Sequence, residues 1–89
     1  MDPRRKRILF RARHMGTAEN DILFGGFAEA HLAALDEAQC ARFETLLEAA
    51  DPDLNAWATG AVPAPPELNH DVMQLLQAYV RAGGGQYKS

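Results

Sequence analysis

The sequence holds a single cysteine, Cys40, so no internal disulfide can brace the fold and the chain suits a reducing compartment. No apolar stretch approaches the ~20 residues that a membrane-spanning helix needs, and the arginine-rich first residues lack the apolar segment of a secretory signal. The expectation is a soluble protein with no membrane insertion. Histidines are few and scattered: His14, His31 and His70 include no two at i, i+3 or i+4 on a shared helix face, which argues against a zinc site. A phosphate-binding loop, a dinucleotide fingerprint and a nucleophile motif are all missing. The glycines at 25, 26 and 83 to 85 lack the strand-then-helix context those motifs require. No enzyme is read here, and no metal.

Basic residues are scarce after position 15, with three against eleven acidic ones, whereas the first fifteen residues carry six against Asp2 alone. This asymmetry fits nucleic acid, an anionic membrane surface, an acidic protein partner or simply a solvated helix face. Against nucleic acid stands the lack of aromatic residues among the basic ones apart from Phe10. What the chain does have is a globular balance, 47% apolar and 24% charged in 89 residues. That length predicts one domain with a modest core, in which caps and turns carry unusual weight. We expect a helical domain over residues 1–82 and a flexible tail over 83–89.

Helix signals recur along the chain. Asp2 and Pro3 read as N-cap and first helical residue of a helix over residues 3–15, with Ile8, Leu9, Ala12 and Met15 as its apolar stripe and Gly16 closing it. Thr17 caps a second helix whose first turn holds Glu19 and Asp21, where the helix dipole favours carboxylates. Gly25 and Gly26 inside that helix cost roughly 1 kcal/mol each relative to alanine. Either another helix backbone approaches closely there, or the bare backbone forms part of a docking surface. Asp36 with Gln39 reads as a capping box, Leu35 and Cys40 as its hydrophobic staple, and Cys40, Phe43, Leu47 and Ala50 as a core face. Cys40 is read as core, because nothing near it in sequence would activate a thiol. Asp51 then caps and Pro52 starts a short helix with Leu54, Trp57 and Ala58 inward and Gly60 at its end. After the semi-rigid "AVPAPP", the spacing of Leu68, Val72, Leu75, Leu76, Tyr79 and Val80 predicts one long amphipathic helix ending before Gly83. Its stripe is its own core face or, as an alternative, a surface for a partner's groove.

Taken in order, "HMGTAENDILFGGFA", "ARFETLLEAADPDL" with Trp57 three residues later, and the proline-rich link into a final amphipathic helix resemble the FAD assembly factor family of succinate dehydrogenase, the SdhE family. The likeness covers about residues 5–81. Its most specific element is the family's Arg-Gly-x-x-Glu motif followed closely by Asp, matched by Gly16, Glu19 and Asp21. The resemblance implies an all-α, five-helix bundle that acts as an assembly chaperone. It would promote covalent attachment of FAD to the flavoprotein subunit of succinate dehydrogenase, and in some bacteria of fumarate reductase. FAD would be attached to the client and not held stably by the factor, which would be a monomer when free and would bind no nucleic acid. The implied compartment is the cytoplasm of a bacterium or the mitochondrial matrix of a eukaryote. By the same resemblance Gly16, Glu19 and Asp21 form the docking surface, with Arg11, Arg13 and His14 around it. Met15 stands where the motif has arginine, and a thioether offers neither charge nor a bidentate donor. Arg11 or Arg13 could compensate. The competing reading is a basic-helix module for nucleic acid or an anionic surface.

Overall fold

The computed structural model describes residues 2–49 and 51–84, which form five α-helices and two short 3-10 turns: α1 (Pro3–Arg13), α2 (Ala18–His31), a 3-10 turn at Leu32–Ala34, α3 (Glu37–Leu47), α4 (Asp51–Thr59), a 3-10 turn at Pro66–Leu68 and α5 (Asp71–Arg81). The all-α bundle expected from the sequence is the fold observed. Each start has a local cause. The Asp2 carboxylate accepts from the Arg5 amide at 2.8 Å, and Pro3 occupies the position whose N–H would be orphaned. The capping box closes reciprocally, Gln39 N donating to Asp36 Oδ1 at 2.8 Å and Asp36 N donating to Gln39 Oε1 at 2.9 Å.

The helices converge on a core in which Ile8, Phe24, Phe27, Leu32, Phe43, Leu46, Leu54, Met73 and Leu76 are fully buried. Side chains of this size contribute ~1.5–3 kcal/mol each on leaving water. Cys40 is among the buried residues, and burial pushes its thiol pKa up. Phe27 anchors an aromatic cluster, edge-on to Phe43 at 5.3 Å and to Tyr79 at 5.7 Å. Trp57 faces inward as its spacing predicts, but is half-buried against the core and not enclosed by it. Asn20 is the one buried polar residue among those described, and its Oδ1 accepts from Asn55 Nδ2 at 2.8 Å, tying α2 to α4.

The paired glycines are explained by packing. A Cβ on Gly25 would stand 3.0 Å from Arg13 Cγ and 3.4 Å from Arg13 Cα, so α1 crosses α2 at this point. On Gly26 it would stand 2.5 Å from the Tyr79 hydroxyl, which reaches over from α5. The two glycines thus admit one neighbour each, a helix backbone and a phenol.

Three boundaries differ from the sequence reading. The first helix stops at Arg13, two residues short of Met15, with His14 as its C-cap; Gly16, at φ +116°, is the pivot of the following turn and not the residue that closes the helix. Leu68 belongs to a 3-10 turn and not to the last helix, because Asn69 leaves helical geometry and His70 caps α5, its Nδ1 accepting from Met73 N at 3.2 Å. Leu68 still packs on the core from that turn, which is why its spacing imitated a helix. Asp51 is the first residue of α4 and not its cap, and position 50 lies outside the described residues. At the far end Gly83, at φ +93°, closes α5, with Gly84 N bonded to Tyr79 O at 2.9 Å. Residues 85–89 of the expected tail lie outside the described residues.

Candidate functional site

The turn between α1 and α2 is built by one carboxylate. Asp21 Oδ1 accepts from Met15 N at 2.5 Å and from Gly16 N at 3.3 Å, so a side chain in the first turn of α2 holds the backbone that enters it. Thr17 completes the entry as N-cap, its hydroxyl accepting from Asn20 N at 3.2 Å. Gly16 allows the reversal, since its φ is one that L side chains rarely adopt. On the α1 side the His14 ring stacks on Phe10 with centroids 4.0 Å apart, and its Nδ1 lies 2.6 Å from the Phe10 carbonyl oxygen.

Of the residues singled out from sequence, His14, Met15, Gly16, Glu19 and Asp21 surround this turn. Glu19 is exposed and has no partner among the described residues. Met15 is half-buried and packs on the edge of the core. Arg11 and Arg13 are engaged elsewhere. Arg13 lies across Gly25 and grips Glu29 Oε2 through Nε at 3.0 Å and Nη2 at 2.7 Å. Arg11 Nη2 reaches the Leu47 carbonyl at the end of α3, 3.2 Å away.

Sequence reasoning missed how much of the basic helix is consumed by the fold. Arg4 bridges Glu37 and Glu44, each at 2.7 Å, fastening α1 to α3. Arg5 pairs with Asp2 at 2.6 Å and donates to the carbonyls of Leu32, which opens the 3-10 turn, and Leu35, which follows it. Glu37 and Glu44 stand two turns apart on one face of α3, but nothing in their spacing names Arg4 as the partner. With Arg4, Arg5 and Arg13 neutralised internally, the cationic field expected of a nucleic-acid binder is much reduced.

A second polar cluster lies where α5 meets α3. Asp71 accepts from Gln39 Nε2 at 3.0 Å and from Arg42 Nε at 2.8 Å, and these bonds lower its carboxyl pKa to about 2. Beside it the imidazole of His70 has its pKa lowered by burial and by Arg42, and its Nε2 is buried without a partner among the described residues. Among the described residues no three His, Cys, Asp or Glu side chains could together hold a metal ion, and no helix is long and apolar enough to cross a membrane.

Five helices packed on one core, with no strand among the described residues, place the chain in the class of small helical bundles. More particularly, the chain belongs to the family described as Flavinator of succinate dehydrogenase, whose sequence model matches residues 6–80. It is 39% identical over 83 residues to "FAD assembly factor SdhE" of Acetobacter pasteurianus, covering 91% of this chain and 76% of that protein. It is 38% identical over 80 residues to "Succinate dehydrogenase assembly factor 2, mitochondrial" of Drosophila grimshawi, covering 88% of this chain and 54% of that protein. A relative in Drosophila mojavensis, "Succinate dehydrogenase assembly factor 2-A, mitochondrial", is 35% identical over 83 residues, 91% of this chain and 53% of the fly protein. The chain therefore spans about half the length of the fly relatives it matches.

Proposed function

We propose that this protein is an assembly chaperone that promotes covalent attachment of FAD to the flavoprotein subunit of succinate dehydrogenase. The observation that carries this reading is the family match across residues 6–80, which takes in all of the turn and nearly the whole bundle. The cofactor belongs to the client. The factor works as a rigid body that presents the turn over residues 14–17 and Glu19 to the apoprotein near its flavin site, while the client's own groups carry out the attachment. His14, Met15, Gly16 and Glu19 make the contact, Arg11 and Arg13 border it, and Asp21 sets the backbone they stand on. The compartment is the one in which the client matures, the cytoplasm of a bacterium or the mitochondrial matrix.

Deleting the gene tests the reading through covalent flavin in the flavoprotein subunit, seen as in-gel flavin fluorescence. Loss of the signal is expected, and an undiminished signal refutes the function. Glu19→Ala adds a local test. It should weaken capture of the apoprotein with little change in melting, because an exposed first-turn carboxylate contributes only about 0.3 to 1 kcal/mol through the helix dipole.

A further inference from the structure

We propose that the outward stripe of α1, formed by Arg7, Phe10, Arg11 and His14, is a second contact surface, and that its occupant is an acidic segment of the flavoprotein client carrying an apolar side chain next to its carboxylate. The inference rests on the function proposed above and extends it from the turn to a helix face that no motif marks. Positions 7, 10, 11 and 14 recur at i, i+3, i+4 and i+7, so they line one side of the helix, away from buried Ile8 and Ala12.

Two features of that side are unexplained by the fold. Phe10 is 63% exposed, more than Ile22 or Val62, the other exposed large apolar side chains among the described residues, and the His14 ring stacks against one of its faces. The arginines are under-used. Arg4, Arg5 and Arg13 each hold a carboxylate, whereas Arg7 has no hydrogen bond or ion pair among the described residues. Arg11 spends one of its N–H groups on the Leu47 carbonyl and keeps the others free.

The arginines also form one lip of an open groove of about 430 Å³ between α1 and α3, floored by Ile8 and walled on the far side by Glu44, Thr45 and Glu48. Glu44 is already neutralised by Arg4, but Glu48 is not, so an incoming carboxylate is repelled from the α3 wall and drawn to Arg7 and Arg11. An apolar neighbour of that carboxylate then lies over Phe10, where burial against a partner removes the exposed ring from water. The two under-used arginines beside an exposed ring thus select an acidic segment with an apolar neighbour. Because His14 ends the stripe and opens the turn, the two contact surfaces are continuous.

The test uses the full chain and the purified apo flavoprotein subunit, with Arg7→Glu and Phe10→Ser as variants. Both side chains are exposed, so melting curves should match wild type. Each variant should bind the subunit about tenfold more weakly. Arg7→Glu should also remove most of the salt dependence of binding, and Phe10→Trp should restore the affinity lost in Phe10→Ser. Wild-type affinity in both Arg7→Glu and Phe10→Ser, with Glu19→Ala still weakened, overturns the stripe while leaving the proposed function intact. Failure of the wild-type chain to bind the subunit, together with undiminished covalent flavin in the deletion strain, removes both. Retention of duplex DNA at physiological salt, lost in Arg7→Glu, would assign the stripe to nucleic acid and overturn the inference.

Discussion

Asp21→Ala removes, in one substitution, the carboxylate oxygen that accepts both hydrogen bonds holding the turn between α1 and α2. The Met15 amide is in a half-buried setting, so losing a charged acceptor leaves a donor poorly reached by water; the Gly16 amide is exposed and recovers a water at little cost. A hydrogen bond to a charged group is worth ~1.5–3 kcal/mol where its partner is shielded, and discounting the exposed half gives about 1–2 kcal/mol for the whole clamp. For a domain of this size each kcal/mol shifts the melting midpoint by ~4–8 °C, so the expected fall is about 5–15 °C. Asp21→Asn keeps an uncharged oxygen at the same place and should lose roughly half as much. Capture of the apo flavoprotein subunit separates positioning from mere stability. At a temperature where both variants are folded, Asp21→Asn should bind nearly as wild type, whereas Asp21→Ala should bind about tenfold more weakly because the turn is no longer fixed. Asp21→Ala melting within about 2 °C of wild type and capturing the client equally well would refute the clamp.

Further outcomes follow from other contacts. In Gly26→Ala the ~1 kcal/mol helix-propensity gain should be cancelled by the 2.5 Å approach to the Tyr79 hydroxyl; adding Tyr79→Phe should recover it, and strict additivity in a double-mutant cycle by melting would disprove this contact. The His70 imidazole has a lower pKa folded than unfolded, so the folded state binds fewer protons and stability should fall as pH drops below the usual ~6.5; melting of His70→Asn should be flat over that window. Asp71 acts in a separate range, its contribution being lost only as pH falls from its ordinary 3.8 through about 2. Met15→Arg should raise covalent flavin yield with little change in melting, because the arginine stem can cover the core edge while its head reaches water; a lower midpoint with no gain in yield would assign Met15 to packing alone.

Local chemistry was the readable part of this sequence. Asp2–Pro3, Thr17 and the Asp36–Gln39 box announce helix starts because a cap satisfies backbone groups within three residues of itself. The paired glycines were legible as an anomaly, and only the fold shows that one admits Arg13 and the other Tyr79. Contacts between distant residues left no trace in spacing: Arg4 meets Glu37 and Glu44, and Asn20 meets Asn55, across the bundle. From sequence Asp21 is a first-turn carboxylate and, by resemblance, part of the docking surface. Its bonds to two amides behind it in the chain depend on a turn geometry that periodicity does not encode, although an aspartate soon after a glycine turn is a familiar backbone acceptor. Leu68 misled for the opposite reason, because a 3-10 turn can deliver a side chain to the place where a helix would put it.

The burial of Cys40 makes the chain convenient to instrument. With its thiol shut in the core and its pKa raised, little thiolate is available to maleimides, peroxides or a second copy's sulfur. A cysteine introduced at an exposed position such as Val62 would then be the preferred point of attachment for a dye or spin label. Distances from that point to the client could be followed while flavin is being attached, with the native sulfur left untouched.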